Sequence, residues 1–160
     1  MGPLTAPTVR AFLADGNHFD DAKQAQAFVG LNPSNWSSGE MESPSREITK
    51  EGSPALRLAF YQAANVARSV DPQLAEFYRK LMVERGHCHT KASCAVARKL
   101  VARTWATLTS GTPYELRDLD GRPITRRQAK QLAAALAVPD DVRRRTRARS
   151  AATRRARLTR

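Results

Sequence analysis

No window of this 160-residue chain alternates apolar and polar residues with the period of two that a half-buried strand needs. Apolar residues instead recur at helical spacing. Leu56, Ala59, Phe60, Ala63 and Ala67 fall on one face, Leu74, Phe77, Tyr78 and Leu81 on a second, and Cys94, Ala97, Val101, Trp105 and Leu108 on a third. A chain with that period alone is expected to be all-α, with five to six helices.

Local chemistry places the helix ends. A short first helix covers about 4–14, where Pro7 is tolerated only in the first turn, and Asp15-Gly16-Asn17 closes it. Asp21 caps a second helix with Gln24 placed for a capping box, and Gly30 stops it near residue 29. Ser53-Pro54 and Asp71-Pro72 are cap-and-proline starts for the third and fourth helices, the latter ending at Gly86. A fifth helix spans about 91–109. Residues 114–124 read as a polar loop with a turn at Asp120-Gly121, and Thr125 with Gln128 opens a helix running to about Val138.

Lys and Arg total 27 against 15 Asp and Glu, a net charge of +12. Such an excess does not help folding, but it suits a polyanionic partner, because neutralised phosphates release condensed counterions. The last 18 residues, from Arg143, hold nine Arg and no acid, and so are expected to form a tail that is disordered without nucleic acid. Two cysteines, Cys88 and Cys94, are too few for a disulfide framework and fit a reducing cytoplasm. No apolar run approaches the roughly 20 residues that span a membrane. The N-terminus lacks signal-peptide patterning, and Ala6 stands where myristoylation wants Ser or Thr.

Residues 31–53, rich in Ser, Pro and Gly and without period, are the first place to look for chemistry, since long loops inside domains are uncommon unless functional or disordered. Ser37-Ser38-Gly39 lies there, followed by Arg46, Lys50 and Arg57. A serine hydroxyl can attack a phosphodiester if cations stabilise the developing charge, and glycine lets backbone approach a phosphate. Taken alone, however, such a triplet is more often a plain turn. Glu40, Glu42, Glu47 and Glu51 share this loop and read as solvated rather than as a two-metal set, which needs acids converging from core elements. His87, Cys88, His89 and Cys94 lack the paired spacing zinc favours and read as a helix start with a buried thiol, so no metal site is expected.

The order of several short pieces is more specific than any one of them. Ala27-Phe28-Val29-Gly30-Leu31-Asn32-Pro33, Ser37-Ser38-Gly39, Ile48-Thr49-Lys50-Glu51-Gly52, Leu56-Arg57, Ala63-Ala64 and Ala95-Val96-Ala97-Arg98-Lys99-Leu100 form a linear series. It resembles the C-terminal transposase domain of the insertion-sequence one-ten family, grouped with the one-one-six and nine-oh-two elements and with Piv-like recombinases. The resemblance covers about residues 1–112, and Gly2-Pro3-Leu4-Thr5-Ala6 looks like the second half of a helix-hairpin-helix-like start. The domains expected are therefore 1–112 as the serine-bearing domain, 113–142 as a loop and accessory helix, and 143–160 as the Arg-rich tail.

The resemblance implies DNA transposition by strand transesterification, shared with an N-terminal RuvC-like half whose four carboxylates bind Mg²⁺. That half is not found in this sequence, so the chain is expected to be inert alone. Ser38 falls on the family's serine-glycine motif as the nucleophile, with Ser37 as the fallback because adjacent serines blur the register. Arg46, Lys50, Arg57, Arg98, Lys99, Arg103, Arg143, Arg144 and Arg145 are the candidate nucleic-acid contacts by charge and position. Partners implied are DNA, a structured guide RNA as some members use, and either self-association or a RuvC-like domain. Ser45 stands where members often carry Gly, and Pro7 interrupts the first helix. The alternative is a non-catalytic, truncated DNA- or RNA-binding protein.

Overall fold

The computed structural model describes residues 2, 5–33 and 48–158. Seven helices follow one another: α1 Thr5–Leu13, α2 Ala22–Val29, α3 Pro54–Ala67, α4 Pro72–Val83, α5 His89–Ser110, α6 Arg126–Ala135 and α7 Asp140–Leu158. The fold is all-α. The described residues hold no strand, only two isolated antiparallel bridges, Pro33 with Ile48 and Arg117 with Pro123. No described helix is long and apolar enough to cross a membrane.

The helix ends follow the local chemistry. Asp21 accepts the Gln24 N–H at 2.8 Å, while the Gln24 amide oxygen accepts from Asp20 N–H, one residue before the cap. Gly30 ends α2 in the left-handed region at φ 72°. Asp71, 4% exposed, accepts the Leu74 N–H at 3.1 Å with Pro72 at the first helical position. Thr125 and Gln128 make both halves of a capping box on α6. Pro7 lies in the first turn of α1, where the N–H that proline lacks has no partner within the helix.

The chain divides into two compact units, and the division falls inside α3 and α5. The first comprises residues 1–63 and 97–114. Its core joins Val9 and Leu13 of α1, Ala25 and Val29 of α2, Leu56 and Phe60 of α3, and Val101 of α5, all 3% exposed or less. Trp105 Nε1 donates to the Gly16 carbonyl at 3.1 Å, and Gln26 Nε2 to the Arg98 carbonyl at 3.2 Å, fastening α5 to the α1–α2 segment.

The second unit comprises residues 64–96 and 115–160. Within it α4 packs on α6 and α7. Leu74, Tyr78, Leu81 and Met82 of α4 are buried, with Ala129 and Ala133 of α6, Val138, and Thr146 of α7. The 115–124 segment turns tightly: Ile124 N–H donates to the Leu116 carbonyl, and Asp118 accepts from the backbone of Asp120 and Arg122.

The all-α expectation holds, with seven helices among the described residues where five to six were expected, and the arginine-rich segment expected to be disordered is helical as far as Leu158. Composition argued against a core for this segment, and most of its side chains are indeed exposed. Local and tertiary contacts nevertheless hold its first half. Asp140 and Asp141 sit in its first turn, where negative charge is favoured, and pair with Arg143 at 3.8 Å and Arg145 at 2.8 Å. Thr146 is 6% exposed, and Arg149 donates to the Gly86 carbonyl.

Candidate nucleic-acid site

The residues singled out for chemistry fall into three groups. The first surrounds the long loop. Ser37, Ser38 and Arg46 lie outside the described residues, as do Glu40, Glu42, Glu47 and Ser45. What the structure places is the base from which that segment departs and to which it returns. The Thr49 N–H donates to the Asn32 carbonyl at 2.9 Å and the Lys50 N–H to the Gly30 carbonyl at 3.2 Å, beside the Pro33–Ile48 bridge. The two limbs of the loop are therefore stapled together, and the Ser37-Ser38-Gly39 motif lies between the staples in sequence.

Two glycines permit this crossing. A Cβ at Gly52 would sit 2.0 Å from the Phe28 carbonyl oxygen, and one at Gly30 would sit 2.6 Å from the Gly52 nitrogen. Both obstacles are backbone, so neither can swing away. Lys50 adopts φ 59°, a left-handed conformation that costs a non-glycine residue on the order of 1–2 kcal/mol. Strain of this kind is held only where surrounding contacts over-determine it. Arg57, half-buried on α3, donates from Nη1 to the Gly52 carbonyl at 3.2 Å. It thus braces the loop base as well as bringing a cation to it. The Thr49 hydroxyl is buried with no hydrogen-bond partner among the described residues.

The second group lies on α5 in the first unit. Arg103 donates to the Tyr114 hydroxyl at 2.6 Å, and its guanidinium carbon lies 5.2 Å from the Tyr114 ring centre. Lys99 is held below its ordinary value, first by partial desolvation and then by the charge of Arg103. Arg98 is half-buried. A lysine destabilised by a neighbouring cation marks a spot where an added anion is favourable.

The third group is Arg143, Arg144 and Arg145 on α7 in the second unit, all exposed. Arg143 and Arg145 are paired with Asp140 and Asp141; Arg144 has no ion pair among the described residues.

Reading the residues in order missed a polar network in the second unit. Tyr78 Oη and His89 Nδ1 are 2.7 Å apart, Ser93 Oγ donates to Asn65 Oδ1 at 3.3 Å, and Arg68 Nε donates to the same oxygen at 3.3 Å. The Arg68 guanidinium also lies 4.4 Å from the Tyr78 ring centre. His89 and Ser93, one helical turn apart, were a local hint; Tyr78 and Asn65 come from other helices and left none. Ser93 is fully buried, so the network braces helices rather than presenting a nucleophile. His89 is tied to Tyr78, and His87 and Cys88 are half-buried; the described residues hold no group of three or more His, Cys, Asp or Glu that converges on one point.

Residues 1–79 match the Transposase IS116/IS110/IS902 family, a span that includes the whole loop base. The chain is 29% identical over 117 residues to the insertion element IS110 uncharacterized 43.6 kDa protein of Streptomyces coelicolor, covering 73% of this chain and 28% of that one. It is 33% identical over 117 residues to the transposase for insertion sequence element IS1111A of Coxiella burnetii, covering 71% and 32%. It is 25% identical over 117 residues to the pilin gene-inverting protein of Moraxella lacunata, covering 73% and 36%. The chain thus spans about a third of the length of the curated relatives it matches. Over residues 1–79 the chain is similar to the Transposase IS116/IS110/IS902 family of insertion sequences.

Proposed function

We propose that this chain supplies the serine-bearing, DNA-engaging part of an insertion-sequence recombinase that acts in the cytoplasm. The Ser38 hydroxyl oxygen bonds to a DNA phosphorus as a deoxyribose oxygen leaves and takes up a proton. A phosphoserine link conserves the ester for rejoining. Ser37 is the second choice. Lys50 and Arg57, with Arg46 by its sequence position, offer positive charge to the phosphate.

One observation carries this reading: the loop that bears Ser38 leaves and re-enters the fold through a strained, glycine-tight, hydrogen-bonded base flanked by two cations. A preorganised support of this kind is what an attacking group needs, since small misplacements cost large factors in rate. The described residues provide no cluster of acids for divalent metal. Mg²⁺, which the family resemblance implies, is assigned to a RuvC-like segment that acts with this chain, and it would supply charge neutralisation at the phosphate. A guide RNA and self-association belong to the same proposal.

The test is recombination by this chain supplemented with a RuvC-like partner. Ser38→Ala is expected to abolish strand exchange and the covalent protein–DNA adduct seen on denaturing gels, while Ser37→Ala retains both. Full exchange by Ser38→Ala would reject the assignment. The basic α7 favours a second reading, a non-catalytic nucleic-acid-binding protein. Under it, Ser38→Ala changes nothing measurable.

A further inference from the structure

Helix α7 lies outside the family-matched residues 1–79 and carries the densest charge in the chain. Val142 and Thr146, the latter 6% exposed, are withdrawn from solvent and mark one side of it. At 3.6 residues per turn, the opposite side collects Arg144, Arg147, Arg154 and Arg155, with Ala151 between them and Ala148 at the margin. All six are exposed. Asp140 and Asp141 lie on the same side in the turn before Arg144, paired with Arg143 at 3.8 Å and Arg145 at 2.8 Å, and from Arg144 to Arg155 the helix carries no acid.

The arginines form two rows. Arg147 and Arg154, seven residues apart, run along one side of Ala151; Arg144 and Arg155, eleven apart, run along the other. The face extends roughly 16 Å along the axis. From Arg144 to Arg155 only the methyl side chain of Ala151 lies between the rows, so the backbone there can approach a surface closely while arginines reach out on both sides. Two parallel rows of cations flanking a shallow strip match two parallel rows of phosphates flanking a groove.

We infer that α7 is a docking helix for duplex DNA, lying in the major groove with one arginine row toward each phosphate strand. A helix with its side chains is about 10–12 Å across, and the B-form major groove is about 12 Å wide. The major groove of A-form RNA is too narrow and deep for side chains to read, so duplex RNA fits this face poorly. Ala148 and Ala151 offer no bulk to insert among acyl chains, which distinguishes the helix from a membrane-surface one. Contacts of this type set register on DNA without reading sequence. This role goes beyond that of Ser38 and does not depend on it.

The experiment is fluorescence anisotropy of the full chain with a short labelled DNA duplex over a range of salt concentrations. Substituting Arg144, Arg147, Arg154 and Arg155 together by Gln is expected to flatten the slope of log affinity against log salt by about 0.9 per lost phosphate contact, or three to four units in all. Circular dichroism and melting temperature stay unchanged. Ala151→Leu alters no charge and is expected to weaken duplex binding by thickening the strip between the rows. The equal-charge control replaces Arg122, Arg126, Arg127 and Lys130 of the same unit by Gln and leaves most of the slope. An equal loss in that control, an unchanged slope in the α7 variant, wild-type binding by Ala151→Leu, or duplex RNA bound as tightly as DNA would each overturn the assignment. The anisotropy reads binding without strand exchange, so failure of the serine's proposed role leaves this result standing.

Discussion

Gly52 carries more of this protein's architecture than any charged side chain near the loop. Its hydrogen occupies a place where a methyl group would meet the Phe28 carbonyl oxygen at 2.0 Å and the Val29 carbonyl carbon at 2.6 Å. Substitution by alanine must push the two limbs of the loop base apart, which disturbs the Lys50–Gly30 and Thr49–Asn32 hydrogen bonds. We expect Gly52→Ala to cost about 1–3 kcal/mol, an overpacking penalty, and to lower the melting temperature by about 2–4 °C per kcal/mol. Thermal denaturation of the variant checks this; a melting temperature equal to the parent's would mean the limbs are not held as described. Arg57 was expected to be a phosphate contact. Its bond to the Gly52 carbonyl makes it part of the same support, a double role that its charge alone did not disclose.

Among the elements, α7 departed furthest from expectation. Nine arginines in 18 residues argued for disorder, because that composition buries too little apolar surface to offset chain entropy. The premise of little burial holds for the second half of α7, where every described side chain from Ser150 to Ala156 is exposed although the backbone is helical to Leu158. It fails for the first half, where Thr146 is buried, Val142 is half-buried and Arg149 reaches the Gly86 carbonyl. Removing residues 151–160 is therefore expected to leave stability within about 0.5 kcal/mol, as for other exposed changes. Removing residues 140–160 is expected to cost about 1–3 kcal/mol, the scale of one buried aliphatic side chain and a hydrogen bond. Urea denaturation of the two truncated chains separates the cases, and equal midpoints would remove the packing role given to the first half. The other helices were legible because caps are local: Asp71 with Pro72, and Thr125 with Gln128, carry their instructions within four residues.

At the scale of the whole molecule, a chain with net charge +12 is sensitive to any further proton. His87 and His89 are held below the ordinary imidazole value of 6.5, both by burial first. Cations add to this: Lys91, Arg85 and Arg149 around His87, Arg68 and Arg143 around His89. The unfolded chain thus binds protons at these sites more readily than the folded one. Their contribution to stability is full above pH 6.5 and is lost as pH falls through that value toward the lowered folded ones. Denaturation midpoints are expected to drop from about pH 7.5 to pH 5.5, and to drop less in a His87→Gln, His89→Gln variant; equal slopes would contradict the assignment. The amino-acid sequence by itself determined the helical class, most helix ends and the family that residues 1–79 match. These follow from periodicity, caps and short ordered motifs, all of which act over a few residues. Only the tertiary structure decided that Gly30 meets Gly52, that Trp105 reaches Gly16, that Tyr78 meets His89, and that α3 and α5 are each divided between two compact units. Each of those pairs residues well separated in the chain, and a contact across such a gap is set by how the helices pack, which no local pattern encodes.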